Sequence, residues 1–386
     1  MSSSYTQGIL APYDPVNAGL VPVDIWHLGL VMFMDQNPII SRAPQAPLGS
    51  LSFKLFEAQD RPKTYTVNVA NGANNSTTSL VLDSSGPLIP GDVLETAAGE
   101  YVLVTANTLS TNTLTITRGY AGTTAANVAD DSTMYLVGNS RTGAEIDQSA
   151  AQPVDSSVEQ YAQTFQHPYQ VGGAVESASN MVLPTGINSP VELYRMHAMR
   201  NVLQDMERAA LYGKGVALAA STTRPGMKGL RELITTNKIL SGATNASAYK
   251  PSDFYRDVIY PCVENSGNPG VCFVSPDWGK GFMKWNWAFQ RVDPGADTFG
   301  VRFRAFYAPF AEDILVIPDP QLRAGTAVCL TPGEFQLRVK RAMFDKPRGS
   351  RGDATEGDII AESAIELQNE SHHSWVAGIT GWAVES

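Results

Sequence analysis

Apolar residues along the chain switch between period-two and helical spacing in discrete blocks. In residues 51–55, Leu51, Phe53 and Leu55 alternate with Ser52 and Lys54. A second run puts Tyr161, Phe165, Tyr169 and Val171 on one face, together with Gln163 and His167. Alternation of this kind predicts extended strands. The two strands are expected to pair as a long hairpin that carries everything between them at its tip. Residues 68–140 are rich in Thr, Asn, Gly, Ser and Val, with short β-like runs "TSLVLD", "DVLET", "EYVLVTA", "TLTITR" and "TMYLVG". Turn signals such as Ser85-Gly86-Pro87 and Pro90-Gly91-Asp92 separate them. Spacing of about ten residues predicts a small all-β barrel or sandwich, read here as an inserted domain.

The clearest helix lies in "NSPVELYRMHAMRNVLQDMERAALYGKG". Ser189 is placed to cap, Pro190 stands at the first helical position, and Glu192 completes a capping box. Gly213 ends the helix. Val191, Tyr194, Ala198, Val202, Met206 and Ala209 form an apolar stripe, widened by Met199, Leu203 and Ala210. The charged residues, Glu207 among them, are expected mostly on other faces. At about 1.5 Å per residue the helix is about 34 Å long, long enough to serve as the backbone of a domain.

Elsewhere the pattern is mixed. Before residue 48, Pro12, Pro15, Pro22, Pro38, Pro44 and Pro47 exclude a long helix. This arm leaves room for a short helix between Val23 and Met34, and it would gain order by lying on another surface. Residues 226–335 read as α/β. "SDFYRDVIYPCVENSG" is a helix capped by Ser252, "GVCFVS" and "DILVIPD" are buried strands, and "PDWGKGFMKWNWAF" is partly helical. In residues 358–369, Ile359, Ala361, Ile365 and Leu367 face one side, and Glu362 and Glu366 face the other. A helix is the competing assignment there, because acids recur every four residues. The strand reading takes "HHSWVAGITGW" as its partner strand.

Composition narrows the function. The 386-residue chain is 43% hydrophobic and 17% charged, which is a globular balance. A net charge of −10 argues against gripping nucleic acid over the whole surface, though not against enclosing it. The opening residues lack a basic and apolar signal sequence, and residues 25–33 are too short an apolar run to span a bilayer. Cys262, Cys272 and Cys329 lack metal-ligand spacing and read as reduced, partly buried thiols. The five histidines form no ligand pair on a helix, and His372 and His373 would point to opposite sides of a strand. No nucleophile elbow, phosphate loop or dinucleotide fingerprint occurs. No catalytic, metal or cofactor site is expected. Asp130 with Asp131, and Glu356 with Asp358, are the only pairs a glycan hydrolase reading could use, and adjacent loop acids are ordinarily solvated.

One cluster stands out. Arg338, Lys340, Arg341, Lys346, Arg348 and Arg351 fall within fourteen residues. They read as a solvated face, a phosphate-contacting patch or a subunit interface. Arg351-Gly352-Asp353 spells an adhesion tripeptide, and without a secretion signal it reads better as a hinge into the strand behind it.

Three stretches carry a family resemblance: "GMKGLRELITTN" after the long helix, "DIIAESAIELQNESHHSWVAGITG" near the end, and "TLTITRGYAGTTAA" within the β-rich insert. With the order arm, hairpin, helix, α/β region and returning strands, the chain resembles major capsid proteins of tailed bacteriophages of the SU10-like group. The resemblance implies an α+β, HK97-type fold. Its parts would be an N-terminal arm over 1–48, an outgoing E-loop strand over 49–67, an inserted β-domain over 68–147 and a returning strand over 148–175. A peripheral (P) domain would follow over 176–225 with a spine helix at 190–212, then an axial (A) domain over 226–335 and P-domain return strands over 336–386. It further implies self-assembly into hexamers and pentamers of an icosahedral head around double-stranded DNA. Portal, scaffold and decoration proteins would be partners, and the chain would reside in the virion after assembly in the host cytoplasm. Phe53, Leu55, Tyr161, Phe165 and Tyr169 are expected to touch neighbouring subunits. Arg348 and Arg351 would meet a neighbour's acidic edge at Glu362, Glu366 and Glu370. The alternative is another phage structural part, from tail or baseplate, with a carbohydrate-binding β-domain.

Overall fold

The computed structural model describes residues 23–24, 36–57, 61–86, 88–141, 156–177, 189–217, 224–241, 245–285, 290–292, 303–306, 313–350 and 352–384. The chain divides into two compact units: Met1–Leu55 with Glu159–Ser386, and Phe56–Val158.

In the first unit, the strands Phe335–Ser350 and Ala354–Leu367 form a long antiparallel pair, and Gln163–Gly172 adds to the second of them. We call these the basic, acidic and returning strands. Val23–Asp24 pairs antiparallel with the basic strand and Gln45–Pro47 pairs parallel with it. Pro190–Tyr212 forms the spine helix as expected, and the Ser189 hydroxyl accepts the Glu192 amide at 3.2 Å. It lies against the returning and acidic strands. Ala198, Met199, Val202, Leu203, Met206 and Ala210 are buried, whereas Tyr194 is exposed.

A seven-stranded mixed sheet makes the second core of this unit. Its order is Lys238–Ile239, Ser374–Val376, Ala327–Leu330, Val271–Val274, Ile314–Pro318, Phe303–Phe306 and Gln290–Val292. "GVCFVS" and "DILVIPD" are thus strands, and they run parallel to each other. An aromatic cluster of Tyr249, Phe254, Trp278, Phe282 and Trp285 covers them. The helix from Pro251 is capped by Asp253, whose carboxylate accepts the Lys250 amide at 3.1 Å, rather than by Ser252. A π-turn at Tyr255–Ile259 precedes Pro261. The turn absorbs the bond that a residue without an amide proton cannot make.

The unit Phe56–Val158 is a six-stranded antiparallel sheet. A bridge from Val67 to Leu82, with Asn68 N donating to Val81 O and Asp83 N to Thr66 O, joins its edges into a small barrel. Leu80, Leu94, Val102, Leu114 and Met134 fill it. Two of its acids are structural. Buried Glu100 receives Arg118, Gly119 N and Ala126 N, and buried Asp92 receives Arg61, Ile89 N and Asn139.

Several expectations are corrected. Ser52–Glu57 pairs with Ser156–Tyr161 only, as a short ladder. Gln163–Gly172 leaves that hairpin for the acidic strand because its apolar face needs the cover of the spine helix. Val23–Asp24 is strand, and the rest of the helix expected up to Met34 lies outside the described residues. Only Ser374–Val376 of "HHSWVAGITGW" is strand, and it belongs to the seven-stranded sheet. Asn369, at φ 50°, and a 3-10 turn at Glu370–His372 redirect the chain there, where Trp375 and Val376 become fully buried. The acidic strand's partner is instead the basic run.

Candidate functional site

The basic and acidic strands face each other along most of their length, and the acids that alternate in one meet the arginines of the other. Arg338 pairs with Glu366, Arg341 with Glu362 and Arg348 with Asp358. Register shifts at Val339/Arg341, Arg341/Phe344 and Pro347/Gly349 aim the arginines across the ladder. All three carboxylates are buried while their arginines stay partly exposed. Burial pushes Glu362 and Glu366 up, but hydrogen bonds outweigh it: Arg341 and Thr164 for Glu362, Arg338 and Gln368 for Glu366. Both carboxyls therefore sit below the usual carboxylate range. Glu370 is likewise engaged, accepting Thr235 N at 2.8 Å and Thr236 N at 3.0 Å.

The expected pairing with a neighbour's acidic edge is therefore corrected. Glu362, Glu366 and Glu370 are satisfied within their own chain, and Arg348 is bound to Asp358. Arg351 lies outside the described residues. Gly352 turns with φ 68°, and Asp353 O accepts Gly173 N at 2.7 Å immediately before the acidic strand.

Phe165 and Tyr169 are also corrected as neighbour-contacting residues. Both are buried inside the unit. The Tyr169 hydroxyl donates to Asp345, which Arg195 also reaches at 2.7 Å. Burial pushes the Asp345 carboxyl up, against the pull of Tyr169 and Arg195. Phe53, Leu55 and Tyr161 are only half-buried, and Leu51 is exposed beside them. The structure thus separates the five aromatic and aliphatic candidates into a core pair and an available trio on the short ladder.

Reasoning from sequence missed one residue of the spine helix. Glu207 stands four residues from both Leu203 and Leu211, on the apolar stripe, and is fully buried. Its oxygens accept Ile39 N at 2.8 Å and Ile40 N at 2.9 Å from the short helix Pro38–Arg42. A lone acid at that spacing was the available signal.

Among the described residues, no cluster of three His, Cys, Asp or Glu side chains is placed to hold a metal. His372 bonds Glu334 at 2.9 Å, while His373 is buried and pushed down to about 4 by that burial. All three cysteines are free and buried, and Cys272 faces Cys329 across the ladder rather than Cys262. No described helix is long and apolar enough to cross a membrane.

The sequence model of the SU10 major capsid protein family matches residues 35–380. The chain belongs to this family. The match spans the arm segment, both sheets and the barrel, so SU10-type membership covers nearly all of the described chain. No curated protein matches the sequence. Among solved structures, similarity extends to the capsid of an empty GTA particle, at 8% identity and TM-score 0.48, over 99% of this chain and 94% of that one. A Microbacterium phage Oxtober96 structure gives 7% identity and TM-score 0.46 over 98% and 96%. The holo-SrpI encapsulin of Synechococcus elongatus gives 10% and 0.42 over 60% and 80%. For an SU10-type capsid protein, the expected chemistry is contact between subunits.

Proposed function

We propose that this major capsid protein builds a phage head by closing hexamers and pentamers into an icosahedral shell around double-stranded DNA. The family match over residues 35–380 carries the reading. Paired strands Ser52–Glu57 and Ser156–Tyr161 lead into and out of the barrel unit, as an E-loop carrying an inserted domain would. In this reading residues 1–48 are the arm and 176–225 with 336–367 the P-domain. The A-domain is 226–335 together with Ser374–Val376, which complete its sheet. Phe53, Leu55 and Tyr161 are the neighbour-contacting residues.

Heterologous contacts close into rings when the rotation fits. Each square ångström of apolar burial contributes about 25 cal/mol, so modest interfaces repeated around a subunit become collectively strong. The net charge of −10 fits confinement by geometry, since strong attraction would oppose DNA entry and exit. Portal, scaffold and decoration proteins would meet this shell in the host cytoplasm and remain with it, or leave it, as the virion forms. Negative-stain microscopy of the full chain, expressed with its neighbouring head proteins, should show closed shells or six-membered rings. Particles lacking this chain, or fibres containing it, would overturn the reading.

A further inference from the structure

Glu207 poses a problem that subunit assembly does not solve. Its carboxyl is fully buried, and so is that of Asp319, on the turn after Ile314–Pro318. The two lie within hydrogen-bonding reach of each other. Glu207 already accepts two amides, Ile39 N and Ile40 N. Asp319 Oδ1 accepts Gln321 N at 2.8 Å, and Asp319 Oδ2 is buried with no protein donor among the described residues. Two adjacent buried carboxylates cannot both be charged without a large penalty. A single proton held between them supplies the missing donor and removes one charge.

The groups around the pair do not neutralise it. From the spine helix, Arg208 turns to Gln321 at 2.9 Å and to Asp205. The Tyr212 hydroxyl accepts Arg323 N at 2.8 Å, and the Arg323 guanidinium stacks 4.3 Å from that ring. From the arm, Arg42 ends the short helix away from the amides that Glu207 binds, which lie at its start. Gln36 meets Gln204 at 3.4 Å.

We propose that Glu207 and Asp319 share one proton that latches the arm segment 37–42 to the spine helix, and that losing this proton releases the segment. The latch sits where the arm meets the body. Downstream, Gln45–Pro47 is held separately by its ladder with Leu337–Val339. Release therefore frees residues 37–42 and leaves the ladder closed.

The direction of the pH dependence follows from the two groups. Burial, then the Asp319 charge, pushes Glu207 well above its ordinary value. Burial pushes Asp319 up to about 6. Both are raised, so folding takes up protons here. Below the ordinary carboxylate range both carboxyls are protonated, and the pair's contribution to folding is full. As pH rises the pair gives up the first of its two protons, and the one that remains is shared between the two carboxyls. The latch opens as pH rises far enough to remove that last proton.

Hydrogen exchange of the Ile39 and Ile40 amides in the full chain, expressed as protection factors, tests this. Wild-type protection should hold while the pair keeps a proton and then fall about tenfold per pH unit once that proton is lost. Glu207→Gln keeps one acceptor oxygen for the arm amides and a fixed donor for Asp319; it gives up the second acceptor, so baseline protection at one of the two amides should fall while its dependence on pH disappears. Asp319→Asn supplies a donor to Glu207 and removes its repulsion. Each should keep protection flat over the pH range where the wild type loses it, while protection of the Leu48 amide, which donates to Val339 O at 2.9 Å beside the ladder, stays unchanged in all three. A wild-type profile that stays flat to the onset of global unfolding overturns the proposal. So does an unaltered loss in whichever variant folds. If neither variant folds, simultaneous loss at the Ile39 and Ile40 amides and at the Leu48 amide in the wild type would overturn it.

Discussion

The Tyr169 hydroxyl reaches over the acidic strand to Asp345 on the strand beyond, donating at 2.9 Å to one carboxylate oxygen. Directly beneath it, Gly357 pairs in register with Tyr169. A Cβ at position 357 would stand 2.3 Å from the Tyr169 hydroxyl oxygen. The missing side chain is what lets three strands be tied by one ring.

Gly357→Ala should therefore displace Tyr169 and leave Asp345 without its donor. Overpacking and an unsatisfied buried group together should cost about 2–5 kcal/mol. Urea denaturation gives the number directly. A Gly357→Ala protein as stable as wild type would show that the ring can move aside freely.

Arg338→Ala should destabilise the chain by about 3 kcal/mol, because it strands the Glu366 carboxylate in a buried site. Restoring balance with Glu366→Gln on the same background should recover part of the loss. A double-mutant cycle on this pair separates the coupling from general damage. Zero coupling would mean that the two side chains act independently.

Acid should unfold the seam through Glu362 and Glu366. Both are held below the usual range, so their contribution is full above it and is lost as pH falls through their lowered values. The melting temperature should drop below about pH 4. In Arg338→Ala with Arg341→Ala that acid slope should flatten. The Glu207–Asp319 pair responds in the opposite direction and at higher pH, so one titration of melting temperature distinguishes the two.

Phe53→Asp with Leu55→Asp should block assembly while circular dichroism and melting stay near wild type, since both residues are only half-buried. Phe165→Asp should instead unfold the chain, with a loss of about 4 kcal/mol or more. Sedimentation beside thermal melts reads both effects. Intact shells from the first variant would remove the short ladder from the interface.

The spine helix was legible to the residue because its signals are local: Ser189 caps, Pro190 starts and Gly213 stops. The barrel was legible because turn residues recur between short apolar runs. Pairing was not. Tyr161 and Phe165 share an alternating run, yet the chain changes sheets between them at Ala162, which is buried and whose amide bonds Leu51 O. Alternation fixes which face a residue takes and says nothing about which strand lies alongside. The basic run was ambiguous for the same reason. Arg338, Arg341 and Arg348 are displayed charges or internal ties depending on whether Glu366, Glu362 and Asp358 lie across from them, and that is a long-range fact. Glu207 was illegible for the same reason: its place beside Leu203 and Leu211 is local, but the amides of Ile39 and Ile40 that it accepts come from a segment far away in sequence.

Ser374–Val376 sits between Lys238–Ile239 and Ala327–Leu330 in the seven-stranded sheet. The sheet therefore closes only when a segment far along the chain from Lys238–Ile239 is slotted between two strands that precede it in sequence, and that closing step is what takes Trp375 and Val376 fully out of water.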